Sequence, residues 1–209
     1  MRIVVFGASR GVGLEVVKQA LDAGYRLTAF VRSPERFTFK HPGLTLCQGD
    51  AMDAVAVENA IAGQDAVIST LGPTRPPVPG MMETAAQNIV TAMKKHGVRR
   101  LISTTGAGIR QPEDKPKLAD YFIGFLLNLL AKSVVLDSAA NVKVIQSSDL
   151  DWTVVRYPRL MEGDPVGKYR FGYVSKDSST QLTRADAAAS VLKELTEKKW
   201  LRKLPLVSY

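Results

Sequence analysis

Residues 3–13 read Ile-Val-Val-Phe-Gly-Ala-Ser-Arg-Gly-Val-Gly. The apolar run Ile3–Phe6 lacks polar alternation, as expected of a strand covered on both faces. It stops at Gly7, Gly11 and Gly13 follow, and an amphipathic stretch from Leu14 to Ala23 begins at once. Strand, glycine turn and helix in direct succession point to a parallel α/β unit. Glycines suit such a turn because it is tight and because a backbone without Cβ atoms can approach a pyrophosphate closely. The phosphates would then face free N–H groups at the positive end of the helix dipole. The spacing Gly-x-x-x-Gly-x-Gly departs from the usual Gly-x-Gly-x-x-Gly, so the flanking strand and helix carry the assignment. Gly7, Ser9, Arg10, Gly11, Val12 and Gly13 are the expected dinucleotide contacts. The bland alternative is a β–α turn with no ligand.

Further apolar runs alternate with helical spacing. Tyr25–Val31, Leu44–Cys47, Asp65–Thr70, Arg100–Thr104 and Trp152–Arg156 read as strands two to six. Ala54–Ala62, Met81–His96 and Val134–Gln146 read as helices between them. Thr183-x-x-Asp186 resembles a capping box opening a last helix, Arg184–Glu197, and Leu204–Val207 reads as a final strand. The expected fold is a Rossmann-type α/β domain over residues 1–209, a doubly wound parallel sheet. Its substrate pocket would lie in the loops after strands four to six. The Pro-rich segment Pro73–Gly80 falls at the carboxyl edge, where ligands bind in open sheets.

Composition narrows the function classes. Hydrophobic residues make up 45% and charged residues 23%, ordinary for a globular chain. The one cysteine, Cys47, excludes an internal disulfide or a cysteine metal cluster, and its apolar setting suits an inert core residue. No apolar run reaches membrane-spanning length, and no signal-peptide pattern precedes the glycine turn, so a cytoplasmic protein without membrane contact is expected. The net charge of +8 raises nucleic-acid binding. The basic residues are scattered, however, and cluster only at Lys94–Arg100 and Lys198–Lys203, near expected helix ends where cations complement the dipole. Basic residues near a site would also attract an anionic cofactor and substrate. Nothing resembles a coiled coil, and a monomer is the default expectation.

The end of the second strand bears on which dinucleotide is used. An enzyme for NAD usually carries an acid there for the ribose hydroxyls. This strand ends in Val31-Arg32-Ser33, with Arg36 close behind and Arg10 in the glycine loop. Arginine can grip a 2′-phosphate with paired donors, so NADPH is the expected cofactor. The alternative is that these arginines are solvated loop charges. Asp50-Ala51 after the third strand would border the adenine, although Asp50 could equally cap the next helix. Leu71-Gly72 would pass the middle of the cofactor.

The chemistry is read partly by elimination. None of the six tyrosines has lysine four residues on, so the Tyr-x-x-x-Lys device of ordinary short-chain dehydrogenases is missing. His41 and His96 are the only histidines and fit no metal-ligand spacing. Gly7-Ala8-Ser9-Arg10-Gly11 matches a hydrolase nucleophile elbow literally, but Gly13 extends it into a phosphate-type turn and neither histidine follows a clear strand end. A nucleotide site with little acid–base machinery suits hydride transfer to a conjugated acceptor, with solvent supplying the proton.

Several segments in order resemble the atypical short-chain dehydrogenases of the biliverdin-IXβ reductase/flavin reductase group. They are Ala62-Gly63-Gln64-Asp65-Ala66-Val67-Ile68, Leu71-Gly72, Asn88-Ile89-Val90, Ala92-Met93-Lys94, His96-Gly97-Val98, Lys143-Val144, Pro158 and Ser208-Tyr209. The resemblance implies NADPH-dependent reduction of biliverdin and free flavins (FMN, FAD) in a shallow pocket above the nicotinamide. Ser103, Thr104 or Thr105 would then orient the nicotinamide or the substrate, with Pro158 against the cofactor. Departures from the group's pattern are the first-turn spacing, Thr105-Gly106 where the group has Thr-Ser, and Tyr157-Pro158-Arg159 where it has Pro-Pro-His. Arg159 would then hold a propionate or flavin phosphate, or stabilise charge on the acceptor; a loop salt bridge is the alternative. Arg110 is a further candidate for an acidic substrate. In Leu118–Leu130, Phe122 and its neighbours would form an apolar wall for a flat ring system, or simply a core helix. The runner-up function is a sensor of the NmrA-like kind, binding NADP without turnover. A quinone reductase on the same scaffold is a third reading.

Overall fold

The computed structural model describes residues 1–74, 76–117 and 131–209. The elements run β1 (Arg2–Phe6), α1 (Gly11–Asp22), β2 (Arg26–Val31), β3 (Leu44–Gln48), α2 (Ala54–Ile61), β4 (Ala66–Ser69), α3 (Met81–Lys95) and β5 (Arg100–Gly106). There follow α4 (Lys132–Gln146), β6 (Asp151–Tyr157), β7 (Arg159–Met161), β8 (Arg170–Gly172), β9 (Gln181–Thr183), α5 (Arg184–Glu197) and β10 (Leu206–Ser208). The main sheet has the order β3-β2-β1-β4-β5-β6-β10-β8. All its pairings are parallel except β10 with β8. The expected Rossmann-type doubly wound sheet is therefore present, with β1 and β4 meeting where the winding reverses.

Strand β1 shows why its sequence carries no alternation. Ile3 and Val5 enter one core with Val12, Val16 and Val17 of α1 and Ala188 and Val191 of α5. Val4 and Phe6 enter the other, with Val57 and Ile61 of α2, Ile89 and Met93 of α3, and Val142 and Ile145 of α4. All four β1 side chains are buried, and each such burial contributes about 1.5–3 kcal/mol.

The sequence reading missed β7, β8 and β9, whose three residues each are too few for a period to show. β7 and β9 pair in parallel as a separate ribbon. Helix α5 opens as expected: the Thr183 hydroxyl accepts from the Asp186 N–H at 3.1 Å. The Asp186 carboxylate takes the Thr183 hydroxyl (2.9 Å), the Tyr209 hydroxyl (2.6 Å) and the N–H groups of Val166 and Gly167. Burial alone would raise its pKa, but these donors hold the carboxyl below its ordinary value. Half-buried Cys47 lies on β3 with its thiol pushed up by burial, as befits an inert residue. Most of the basic clusters are paired: Lys94 with Asp149, Lys95 and His96 with Glu58, Arg99 with Asp151, and Lys199 with Glu197. Among the described residues no helix is long and apolar enough to cross a membrane.

Candidate active site: a nucleotide cleft at the carboxyl edge

The glycine turn is built by close approach. A Cβ on Gly13 would stand 2.1 Å from the Gly7 carbonyl oxygen and 2.5 Å from Thr70 Oγ1. Gly13 therefore lets α1 seat against the β1–β4 junction. Gly7 has φ +80°, and a Cβ there would lie 2.8 Å from the Thr70 backbone. The Thr70 hydroxyl donates to the carbonyls of Phe6 (3.0 Å) and Gly7 (3.3 Å), tying the two strand ends together. Arg10 precedes α1 in extended backbone without a side-chain cap, and the first turn of the helix carries no acid. Its leading N–H groups are thus available to an anion.

From this turn a cleft of about 820 Å³ runs along the ends of the parallel strands. Gly7, Ser9, Arg10, Gly11 and Val12 line its phosphate side. Arg32 and Asp50-Ala51 line the end beyond β2 and β3, and Leu71-Gly72 the middle. The helix-cap alternative for Asp50 fails: Asp53 caps α2, accepting from Val55 and Ala56, while the Asp50 carboxylate accepts from the Met52 N–H at 2.9 Å. Gly49 belongs here too, since a Cβ would strike the Phe30 ring at 2.5 Å. Arg32 is exposed on the lining, with no carboxylate at the end of β2. The donor set fits a dinucleotide: uncapped N–H groups and cations at the phosphate end, and glycines where the chain would touch it.

At the opposite end stand Thr104, Thr105, Gly106 and Pro158, joined by Ser138 of α4 and the apolar Leu71, Met81, Met82 and Leu160. Tyr157 borders this end, but its hydroxyl turns into the core. It donates to the Ala187 carbonyl at 2.9 Å and meets Ser190 Oγ at 3.0 Å. Burial pushes its pKa far above the usual phenol value. It cannot act as the proton-donating tyrosine of ordinary short-chain dehydrogenases. Neither histidine lines the cleft: His41 Nδ1 accepts from the Gly43 N–H, and His96 faces Glu58. Ser9 has no histidine partner, so the hydrolase reading has no geometry behind it. Among the described residues no group of acids, histidines and cysteines could hold a metal.

The remaining expected residues lie elsewhere. Arg159 does not line the cleft. Successive side chains of a strand point to opposite faces, and the lining set here is Pro158, Leu160 and Glu162, leaving Arg159 exposed on the other face. Exposed Arg110 is also outside the lining. Ser33 and Arg36 sit in the 3-10 turn after β2, away from the lining, with Arg36 beside Glu35 at 4.0 Å. Phe122 and the apolar stretch around it fall outside the described residues. Sequence reasoning missed Ser138, Leu160, Glu162 and Arg184. Only Arg184 left a trace, as the first helical position after the capping Thr183.

The loop after β5 is held from below by a buried ion pair. Arg156 of β6 is fully buried and grips Asp114 through both terminal nitrogens, at 2.6 and 2.9 Å. It also donates to the carbonyls of Ile109 and Leu204, both at 2.8 Å. Asp114 further accepts from the N–H groups of Gln111 and Val174. Burial would raise the Asp114 pKa, yet these partners hold it below the ordinary carboxylate value.

Fold and site together define a Rossmann-type dinucleotide-binding protein. Residues 7–198 match the family described as NAD(P)H-binding, and the chain belongs to that family. Among solved structures it is similar to a short-chain dehydrogenase/reductase from Veillonella parvula in complex with NADP. That match has a TM-score of 0.84 and 18% identity, covering 100% of this chain and 94% of the other. It is also similar to an anaerobilin reductase from Escherichia coli O157:H7, with a TM-score of 0.78 and 21% identity, covering 100% and 97%. At such identities these likenesses show the fold. A curated relative is the (4-alkanoyl-5-oxo-2,5-dihydrofuran-3-yl)methyl phosphate reductase of Streptomyces griseus, 29% identical over 74% of this chain and 46% of its own. Another is the photosystem II assembly factor Ycf39 of Synechocystis, 24% identical over 87% of this chain and 51% of its own. The chain spans about half the length of these curated relatives.

Proposed function

We propose that this protein is an NADPH-dependent reductase that passes hydride to a conjugated acceptor, a linear tetrapyrrole such as biliverdin or a free flavin. One observation carries the reading. The cleft joins an anion-binding turn to a reacting end where, among the described residues, the one lining phenol is turned into the core. An acceptor that needs no enzyme acid, because conjugation spreads the incoming charge, is what such an end can serve. The reductase names among the relatives support the class, and the E. coli anaerobilin reductase of the same fold supports a tetrapyrrole acceptor.

NADPH, when bound, supplies the hydride. The chain's own residues do the rest. The N–H groups at the start of α1, with Arg10, hold the phosphates, and Arg32 faces the 2′-phosphate, which favours NADPH over NADH. Thr104 and Thr105 offer hydroxyls to orient the reacting ring or the acceptor. Met81, Met82 and Leu160 form an apolar wall for a flat substrate, and methionine adapts to varied shapes. The proton that follows the hydride comes from water in the open cleft. The acceptor's acidic groups are not assigned to Arg159 or Arg110, which stand off the lining.

The test is direct. Purified protein mixed with NADPH and either biliverdin or FMN should oxidise NADPH with matching loss of the acceptor, followed by absorbance. Tight NADPH binding with no oxidation by any bilin, flavin or quinone would sink the reductase reading and favour a sensor.

A further inference from the structure

Arg184 is the first residue of α5, yet its side chain reaches across to the glycine turn. Its Nε and Cδ are the nearest atoms to a Cβ built on Gly11, at 3.6 and 3.8 Å. Gly11 opens α1, where the bridging phosphates of a dinucleotide sit in this fold. The base of Arg184 is fixed, because Thr183 and Asp186 cap its helix and the Tyr209 hydroxyl ties both. Its guanidinium is ion-paired with Glu162 beyond the end of β7, and the Glu162 side chain is 83% exposed. Such a solvated pair is weak. A diphosphate held against free N–H groups is the stronger partner, since charge-assisted bonds to phosphate are paired and partly desolvated.

Resting on the nucleotide-site reading above, we propose that Arg184 clamps the cofactor's bridging phosphates from above the glycine turn. Glu162 holds the guanidinium in place until they arrive and gives it up to them. Two different elements, α1 and α5, would thus close on the same diphosphate.

The experiment compares NADPH and NADH affinities of wild type, Arg184→Gln, Arg184→Lys, Glu162→Gln and Arg32→Ala by calorimetry, with thermal unfolding of each as a check on folding. Arg184→Gln should weaken both nucleotides about tenfold (about 1.4 kcal/mol), and Arg184→Lys should recover part of that. Glu162→Gln should tighten both about threefold by removing the competitor. Arg32→Ala should weaken NADPH alone. Unchanged binding in a folded Arg184→Gln would overturn the clamp and leave the nucleotide site standing. Equal weakening by Arg184→Gln and Glu162→Gln would make the pair a strut and overturn it too. Loss of NADPH affinity only would assign Arg184 to the 2′-phosphate instead. A wild-type protein that binds neither nucleotide would remove the nucleotide site itself, and the clamp with it.

Discussion

At the scale of single residues, two tyrosines show how position decides role. Tyr157 borders the end of the cleft where a proton donor is sought, but its hydroxyl is spent on Ala187 and Ser190 inside the core. Tyr157→Phe should therefore cost about 0.5–1.5 kcal/mol in urea unfolding and leave NADPH turnover with its acceptor intact. A large loss of kcat without loss of stability would contradict this. Tyr209 acts at a distance from the cleft, holding Thr183 and Asp186 and so the start of α5. Single residues were unevenly legible in the sequence. The glycine turn and Arg32 announced themselves through spacing and position. Arg184 did not, since nothing in its neighbours says that α5 passes over α1.

At the scale of elements, the turn between β1 and α1 is the least forgiving part of the molecule. The atom that a Cβ on Gly13 would strike is the backbone oxygen of Gly7, which cannot swing aside as a side chain could. Gly13→Ala should push α1 off the β1–β4 junction, with a destabilisation beyond about 4 kcal/mol or failure to fold, seen in thermal unfolding and in lost nucleotide binding. Helices α1 to α5 and strands β1 to β6 were readable from period and punctuation, with ends displaced by at most three residues. The β7–β9 ribbon was not. Its strands take their form from pairing with each other, and that pairing sets Leu160 on the cleft lining and Arg159 off it.

At the scale of the whole molecule, the ion pair of Arg156 and Asp114 joins the sheet interior to the loop after β5. The strand was expected over Trp152–Arg156, but nothing in its sequence pointed to Asp114 as the partner of Arg156. Removing that partner leaves a buried charge, so Asp114→Asn should cost about 3–5 kcal/mol near pH 7. The Asp114 pKa is depressed in the folded state. Its contribution is therefore complete above the unfolded carboxylate value of about 3.9 and is lost as pH falls through the lower folded value. The stability gap between wild type and Asp114→Asn should narrow below about pH 4, measured by urea unfolding across pH. A gap that stays constant would place the effect outside this ion pair.

Strand β10 lies between β6 and β8, and with the residues leading into it, from Arg202 on, it supplies the neighbour along one margin of β6. During synthesis everything up to β6 leaves the ribosome first, with that margin unpaired and Arg156 still lacking the Leu204 carbonyl. An unpaired strand edge is a template for joining other chains. Prematurely terminated products of this gene would therefore be sticky species for chaperones and proteases to clear, rather than smaller versions of the protein.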